Sequence, residues 1–379
     1  MKSAPPRSVT ALDNIYGMRV IVRASLDVPI RDGVVQNEFR VKSAIPTIEH
    51  LIGKGARVII LTHVGRDPKN STLPLLASLQ KYVPTTYVDA LLGEKVEGAI
   101  THMKEGTALL LENVRSHAGE EANDEEFART LSAYGNFYVN DAFAVSHRAH
   151  ASIAALAKML PNFAGISFLQ EYSELSKMLS PEHPSLFILG GAKFETKAPL
   201  IEKYAERYTH TLIGGALAND FLKGKGYEVG ESLLSPVDLT GSPLLAQENI
   251  LLPIDVVAVK GVTARVVPAD SVYRDEKILD VGPKTIEHLA PFIAHAKTIL
   301  WNGPLGNYEG GYDEATKACA ELVAQSDAFS VVGGGDTVAA IEALNLSDSF
   351  GFLSTAGGAM LEFLEKGTLP GIEVLTRAE

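Results

Sequence analysis

A chain of 379 residues with 46% hydrophobic and 21% charged side chains has the balance of a globular protein and is too long for one ordinary core, which points to two domains of roughly 200 residues each. No apolar run approaches the ~18 residues of a membrane span, the opening MKSAPPRSVT lacks the apolar core of a secretory signal, and the single Cys319, on a helical pattern, cannot form an internal disulfide, so the expectation is a cytoplasmic protein with no membrane partner. Of the net charge of -12, residues 1–165 hold 18 Lys and Arg against 17 Asp and Glu, and residues 166–379 hold 16 against 29; with no basic run interleaved with aromatics, this argues against a nucleic-acid partner.

In chain order, the first half alternates apolar runs with helical patterns: MRVIVR at 18–23, a helix over 43–55, ARVIILTHVGR at 56–66, a helix over 73–82, TALLLENVR at 107–115, a helix over 124–135, and NFYVNDAF at 136–143. Strands alternating with helices imply a parallel sheet with right-handed crossovers. The strands end in cations. Arg23 closes the first run, His63 and Arg66 follow the second, Arg115 the third, and His147, Arg148 and His150 the fourth, while Arg40 is placed in the loop QNEFR ahead of the first helix. Any one of these arginines alone reads as a surface ion pair. Several of them after successive parallel strands converge on one sheet edge, and guanidinium forks there match carboxylates and phosphates.

Residues 166–179 place Ile166, Leu169, Tyr172, Leu175 and Leu179 at helical spacing, stopped by Ser180 and Pro181; this reads as a helix connecting two domains. A second alternating series follows, through 250–259, 281–296 and 297–311. Within it, SLFILGGAKFETK (185–197), THTLIGGALANDF (209–221), FSVVGGGDTVAAIEAL (329–344) and GFLSTAGGAMLEF (351–363) each join a strand to a helix through paired glycines. Such junctions leave unpaired helix N–H groups that attract phosphate, with Asp336 placed to hold a magnesium ion on it. For one turn alone, a packing glycine with Asp336 as N-cap explains as much. Four turns on the edge where parallel strands end would line one crevice. None matches GxxxxGKS/T or GxGxxG, so the usual phosphate-loop and dinucleotide readings are weak.

Together, VRASLDVP, FRVKSAIPTIEHL, LTHVGR, LLENVRSH, YVNDAFAVSHRAHAS, ILGGAKFETK, LIGGALANDFL, LDVGPKT, WNGPLG, VVGGGDT and LSTAGGAMLEFL resemble the phosphoglycerate kinase family from about Asn14 to Leu375. The resemblance implies two Rossmann-like α/β domains with parallel sheets facing a hinged cleft: residues 1–165 for phosphoglycerate, an interdomain helix over 166–180, residues 181–362 for nucleotide, and a C-terminal segment 363–379 returning to the first domain. It implies transfer of a phosphoryl group between 1,3-bisphosphoglycerate and ADP with Mg2+, giving 3-phosphoglycerate and ATP, by a monomer. Carried over motif by motif, Ser25, Asp27, Arg40, His63, Arg66, Arg115 and Arg148 would surround the phosphoglycerate, with Arg40 nearest the transferring group. Gly191, Ala192, Lys193 and Lys197 would meet the nucleotide phosphates, Arg40 and the two lysines being catalytic. Gly214, Gly215, Asn302 and Pro304 would flank the base, Glu309 would take the ribose, Gly334, Gly335, Asp336 and Thr337 would hold the phosphate tail and metal, and Gly357 and Gly358 would open a helix toward the transition state. Lysines at a helix start oppose its dipole, which a bound anion would explain. His63 is assigned to binding and His147 and His150 to structural hydrogen bonds, because a substrate carboxylate is already a competent nucleophile.

The chain departs from the family pattern at several positions. Ser25 and Asp27 stand where aspartate and asparagine are usual, and in an extended segment both point to one side, so a carboxylate survives one side-chain step along. Thr196 stands for an aspartate, Ala216, Ala356 and Ala144 for glycines, and Ser116 for a phenylalanine. A related kinase for another acyl phosphate, and a weakly catalytic nucleotide-binding paralogue with a regulatory role, are the other readings this leaves.

Overall fold

Two series of β-branched runs, each followed by a helix whose apolar residues recur every three or four positions, generate two parallel sheets. The computed structural model describes residues 5–192 and 194–376. Its contacts divide the chain into Met1–Ser173 with Thr368–Glu379, and Glu174–Gly367.

The first unit holds β1 (Arg19–Ala24), β2 (Arg57–Leu61), β3 (Thr85–Tyr87), β4 (Thr107–Leu110), β5 (Phe137–Asp141) and β6 (Asn162–Ala164). They pair in parallel in the order β3-β4-β2-β1-β5-β6. Helices α1 (Phe39–Gly53), α2 (Leu75–Leu79), α3 (Glu94–Thr101) and α4 (Glu125–Ser132) connect them. Val20, Val22, Ile48, Val58, Ile60 and Leu110 form a buried core between sheet and helix. Because β1 lies between β2 and β5, the connections diverge on either side of it, and loops leaving its C-terminal end border an open crevice.

Three sequence expectations change here. Helix α1 begins at Phe39, not Ser43: Asn37 Oδ1 accepts the Phe39 N–H at 2.7 Å, and Ser43 Oγ donates back to the Phe39 carbonyl at 3.0 Å instead of capping. Arg40 therefore sits on the first helical turn rather than in a loop. The helix expected over 73–82 shrinks to α2, with Pro74 before it and Pro84 beyond, and the short β3 and α3 had no periodic signal long enough to announce them.

Helix α5 (Ile166–Met178) spans the division between the units. Its start is fixed inside the first unit, where Asp141 Oδ1 accepts the Phe168 N–H at 2.9 Å and Thr47 Oγ1 accepts the Ile166 N–H at 2.8 Å. The C-terminal turn Pro370–Glu373 packs in the first unit as well, Gly371 N–H donating to the Ser146 carbonyl at 2.8 Å.

The second unit contains β7 (Ser185–Leu189), β8 (His210–Ile213), β9 (Ile250–Leu251), β10 (Asp255–Lys260), β11 (Thr263–Pro268), β12 (Lys277–Val281), β13 (Thr298–Asn302), β14 (Phe329–Gly333) and β15 (Phe352–Leu353). Six pair in parallel as β9-β8-β7-β13-β14-β15; β11-β10-β12 form a separate antiparallel sheet. The run 250–259, read as one strand of a continuing parallel series, is thus broken at Pro253 and shared between two sheets, since proline removes a ladder donor. Helices α6 (Phe194–Arg207), α7 (Gly215–Gly224), α8 (Pro283–His295), α9 (Glu314–Ala324), α10 (Gly335–Ala343) and α11 (Gly358–Lys366) cover the parallel sheet. Trp301 and Cys319 are fully buried in its core.

Candidate active site

In the first unit the C-terminal ends of β1, β2 and β4 present a connected group of cations. Asp27, in the segment leaving β1, accepts the Gly65 N–H on Oδ1 at 2.8 Å, and its Oδ2 lies 3.5 Å from His63 Nε2. Arg40 reaches the same segment from α1, Nη1 donating to the Asp27 carbonyl at 2.6 Å. Arg115, nearly buried, donates to the Gly65 carbonyl at 2.5 Å and stands 3.5 Å from Glu121, and Arg148 donates through Nε to His147 Nε2 at 3.1 Å. Arg66 follows Gly65 and is exposed. Asp27, Arg40, His63 and Arg115 are therefore joined through hydrogen bonds and the Gly65 turn.

Arg23, given no binding role above, is 1% exposed and supports this edge from beneath. Its guanidinium donates to Ser152 Oγ at 2.8 Å and the Ala24 carbonyl at 2.7 Å, and meets His63 Nδ1 at 3.2 Å. Ser152 in turn donates to the buried Glu120 at 2.6 Å, which balances the interior charge through a hydroxyl. Burial, with Arg23 and Arg115 nearby, pushes the His63 imidazole down to about 4, against the pull of Asp27. His63 is neutral at pH 7. It is also 3% exposed, so it orients its neighbours more than it offers a ring to solvent. Asp27 is held well below the usual carboxylate range, where the His63 and Gly65 hydrogen bonds and the Arg40 charge outweigh burial. His150 Nδ1 stands 3.8 Å from Glu120 Oε1, beyond the reach of the hydrogen bond expected of it, and burial disfavours its charged form.

The second unit carries a cavity of about 510 Å³ whose walls include Gly191, Ala192, Gly215, Pro304, Glu309 and Asp336, six of the residues expected at a nucleotide. Gly214 and Asn302 are not in its wall; the Asn302 amide is turned to Met360 Sδ at 3.7 Å. The remaining lining includes Glu231, Lys277 and Asp280, for which sequence reasoning had no role. Asp280 lies within the motif LDVGPKT, but Glu231 comes from an irregular stretch and Lys277 from the antiparallel sheet, and neither has a local signal. Burial pushes the Asp280 carboxyl up to about 7, against hydrogen bonds from the Ala315 and Val281 N–H groups. Lys193 lies outside the described residues, as does the side chain of Thr196. Lys197 Nζ donates to the Gly190 carbonyl at 2.7 Å, and burial brings the ammonium down to about 8.

The paired glycines divide into two kinds. A Cβ on Gly190 would lie 2.1 Å from the Pro304 carbonyl oxygen, and one on Gly215, at φ +61°, would lie 2.5 Å from the Gly191 nitrogen. Close backbone packing by itself accounts for glycine at these two positions, although Gly215 also lines the cavity. At Gly335, Gly357 and Gly358 a Cβ would meet nothing within 4 Å. Packing does not require glycine there, and α10 and α11 begin with Gly334 and Gly357 as N-caps that offer no side-chain hydrogen bond. The first N–H groups of α10 are thus left open to an anion, whereas at the start of α11 the Ala359 N–H is taken by the Ala356 carbonyl at 3.1 Å. Asp336 stands on the first turn of α10, its carboxyl raised by burial and by Glu309, and Thr337 Oγ1 is buried without a hydrogen-bond partner.

A cation edge on one parallel sheet and an open helix start beside a cavity on another define a two-unit α/β protein equipped for phosphorylated ligands. Residues 9–367 match the family model for phosphoglycerate kinase. The chain is 43% identical over 378 residues to a phosphoglycerate kinase of Thermus thermophilus, covering 95% of this chain and 97% of the relative, and 41% identical over 383 residues to one of Dictyoglomus turgidum, covering 96% of each. Among solved structures it is similar to the phosphoglycerate kinase of Coxiella burnetii, with a TM-score of 0.83 and 37% identity over 98% of this chain and 99% of that one, and to that of Pyrococcus horikoshii OT3, with 0.86 and 28% over 97% and 98%. The chain belongs to the phosphoglycerate kinase family, whose members are phosphotransferases.

Proposed function

We propose that this protein catalyses the reversible transfer of a phosphoryl group from 1,3-bisphosphoglycerate to ADP, giving 3-phosphoglycerate and ATP. The observation that carries the reading is the cation edge of the first unit, where Arg115 stands near the neutral His63, Arg40 on α1 bonds to the Asp27 carbonyl, and Arg66 and Arg148 lie in the loops after β2 and β5. Such a group suits a ligand with a carboxylate at one end and a phosphate at the other. In the reverse direction the 3-phosphoglycerate carboxylate oxygen forms a bond to the γ-phosphorus of ATP while the bond to the β-bridging oxygen breaks. The attacking oxygen carries no proton, so no general base is needed, in keeping with a His63 that titrates near 4.

What remains is positioning and charge neutralisation. Arg40 stabilises the transferring group, Ser25, Asp27, His63, Arg66, Arg115 and Arg148 shape the glycerate site, and Lys193 and Lys197 with the open start of α10 and the start of α11 hold nucleotide phosphates. Among the described residues no three His, Cys, Asp or Glu side chains gather into a metal site. One carboxylate, Asp336, beside the unpartnered Thr337 hydroxyl fits Mg2+ that arrives on the nucleotide, since this ion commonly takes one or two carboxylates and completes its shell with phosphates and water. Bound there, Mg2+ would neutralise charge on the phosphates. Transfer requires both sets of groups on one phosphoryl group, so a hinged closure that expels water belongs to the proposal. The proposal includes a monomer that acts on small molecules in the cytoplasm; no helix among the described residues is long and apolar enough to cross a membrane.

The test is a coupled assay of ATP-dependent 3-phosphoglycerate phosphorylation by the purified protein. Turnover is expected, and Arg40→Ala should lower kcat by ~10³-fold, the scale of a charge-stabilising arginine in phosphoryl transfer. Absence of turnover with ATP binding intact would refute the assigned reaction; near-full activity in Arg40→Ala would remove Arg40 from it.

A further inference from the structure

Ser25 and Asp27 leave β1 on the same extended segment, yet their side chains are used unequally. Ser25 Oγ is buried without a hydrogen-bond partner. Asp27 meets the turn after β2 through Gly65 N–H at 2.8 Å, His63 at 3.5 Å, and, through its backbone carbonyl, Arg40 on α1 at 2.6 Å. The Gly65 carbonyl receives Arg115 from the loop after β4 at 2.5 Å, and Gly65, at φ +65°, directly precedes Arg66. The carboxylate thus ties the segment after β1 to the turn after β2, whose Gly65 carbonyl in turn holds Arg115.

Proton accounting shows what a carboxylate supplies here that the usual asparagine would not. A guanidinium has no acceptor, so at Nδ1, 3.2 Å from Arg23 Nη2, the His63 ring must accept. The neutral imidazole then carries its proton on Nε2, toward Asp27 Oδ2, while Gly65 N–H points at Oδ1. Both oxygens of Asp27 face donors. An asparagine offers one acceptor and one NH2, so it would set donor against donor at Gly65 or at His63. A carboxylate held ionised is also an unfavourable direct neighbour for an anionic ligand.

We propose that Asp27 is a positioning residue: by accepting from Gly65 N–H on one oxygen and facing His63 Nε2 with the other it holds the Gly65–Arg66 turn, the His63 ring and, through Gly65, the Arg115 guanidinium in place for an anionic ligand, without contacting that ligand itself. The reading given above under the proposed function supplies only the choice of substrate for its test.

The first arm uses the unliganded full chain labelled with 15N-histidine. His63 should be the Nε2–H tautomer at pH 7, with resonances that shift in Asp27→Asn; an Nδ1–H tautomer, or resonances indifferent to the substitution, overturns the proposal. The second arm compares kcat/KM for 3-phosphoglycerate and for 3-phosphonooxypropanoate, which lacks the C2 hydroxyl. Displacement of the surrounding groups should make Asp27→Asn ~100-fold slower, by the same factor on both substrates. A loss that disappears with the hydroxyl-free substrate identifies Asp27 as a ligand of that hydroxyl and sinks the proposal, as does unchanged activity. If the wild-type protein turns over neither substrate, the assigned reaction fails, and the response of the His63 resonances to Asp27→Asn decides the role of Asp27. Should Asp27→Asn not fold, Asp27→Ala takes its place in both arms, with the same outcomes expected and excluded.

Discussion

An ammonium group surrounded by carbonyls and apolar atoms loses part of its hold on its proton, and Lys197 is in that position. Its Nζ bonds to the Gly190 carbonyl, no carboxylate among the described residues pairs with it, and burial brings it down to about 8. A phosphate arriving there favours the charged form. The sign follows: near pH 8 the free protein has lost part of the Lys197 charge, the nucleotide complex restores it, and binding takes up a proton. Calorimetric titration with ADP at pH 8 in two buffers of different ionisation enthalpy should detect uptake of a fraction of a proton, and affinity should fall as pH rises beyond 8. Binding without proton uptake would show that Lys197 is not a phosphate ligand. His63 behaves oppositely in kind, since titration near 4 leaves its charge constant over the same range.

At the scale of the element, the glycines at the strand-to-helix junctions make separable predictions because they serve different neighbours. Gly215→Ala forces a side chain at φ +61° against the Gly191 backbone, and should destabilise the second unit by ~2–4 kcal/mol in denaturant unfolding. Gly335→Ala meets open space at the start of α10 at an ordinary φ, and should leave stability within ~1 kcal/mol. If α10 receives a phosphate, however, the added methyl stands where the anion must approach, and ADP affinity should drop by ~10-fold or more, a loss of ~1.4 kcal/mol. Equal affinity in Gly335→Ala would take the start of α10 out of the nucleotide site. Both positions look alike in sequence, as paired glycines after an apolar run, and only the nearest neighbouring atom separates them.

Across the whole molecule, the first unit is assembled from both ends of the chain. Leu369, Ile372 and Leu375 are buried, Asn162 Oδ1 accepts the Thr376 N–H at 2.8 Å, and the Arg7 N–H donates to the Thr376 carbonyl at 2.8 Å. A chain ending at Gly367 would lack these three buried aliphatic side chains, whose burial contributes ~1.5–3 kcal/mol each, would uncover the surface they pack on, and should lose several kcal/mol of stability. Hydrogen exchange would locate the effect: amides of β5 and β6 should lose protection while those of β13 and β14 keep theirs. A loss spread evenly over both sheets would mean that the C-terminal segment is not a private part of the first unit.

The alternation of strand and helix, and with it the two parallel sheets, was legible in the sequence because periodicity is a local property that burial on one helix face or both sheet faces imposes directly. The family, too, was legible, from motifs that keep their spacing along nearly the whole chain. What lay beyond a local window was decided only by the tertiary structure. Pro253 divides one apolar run between two sheets, Asn37 starts α1 early enough to bring Arg40 onto a helix, and the cavity wall draws Glu231 and Lys277 from segments with no recognisable pattern. The charge states of His63 and Lys197 belong to the same class, because desolvation and the field of residues dozens of positions away set them. Asp27 meets Gly65 and Arg23 meets His63 across 38 and 40 residues of chain, and the role of each follows from which donor the fold turns toward it.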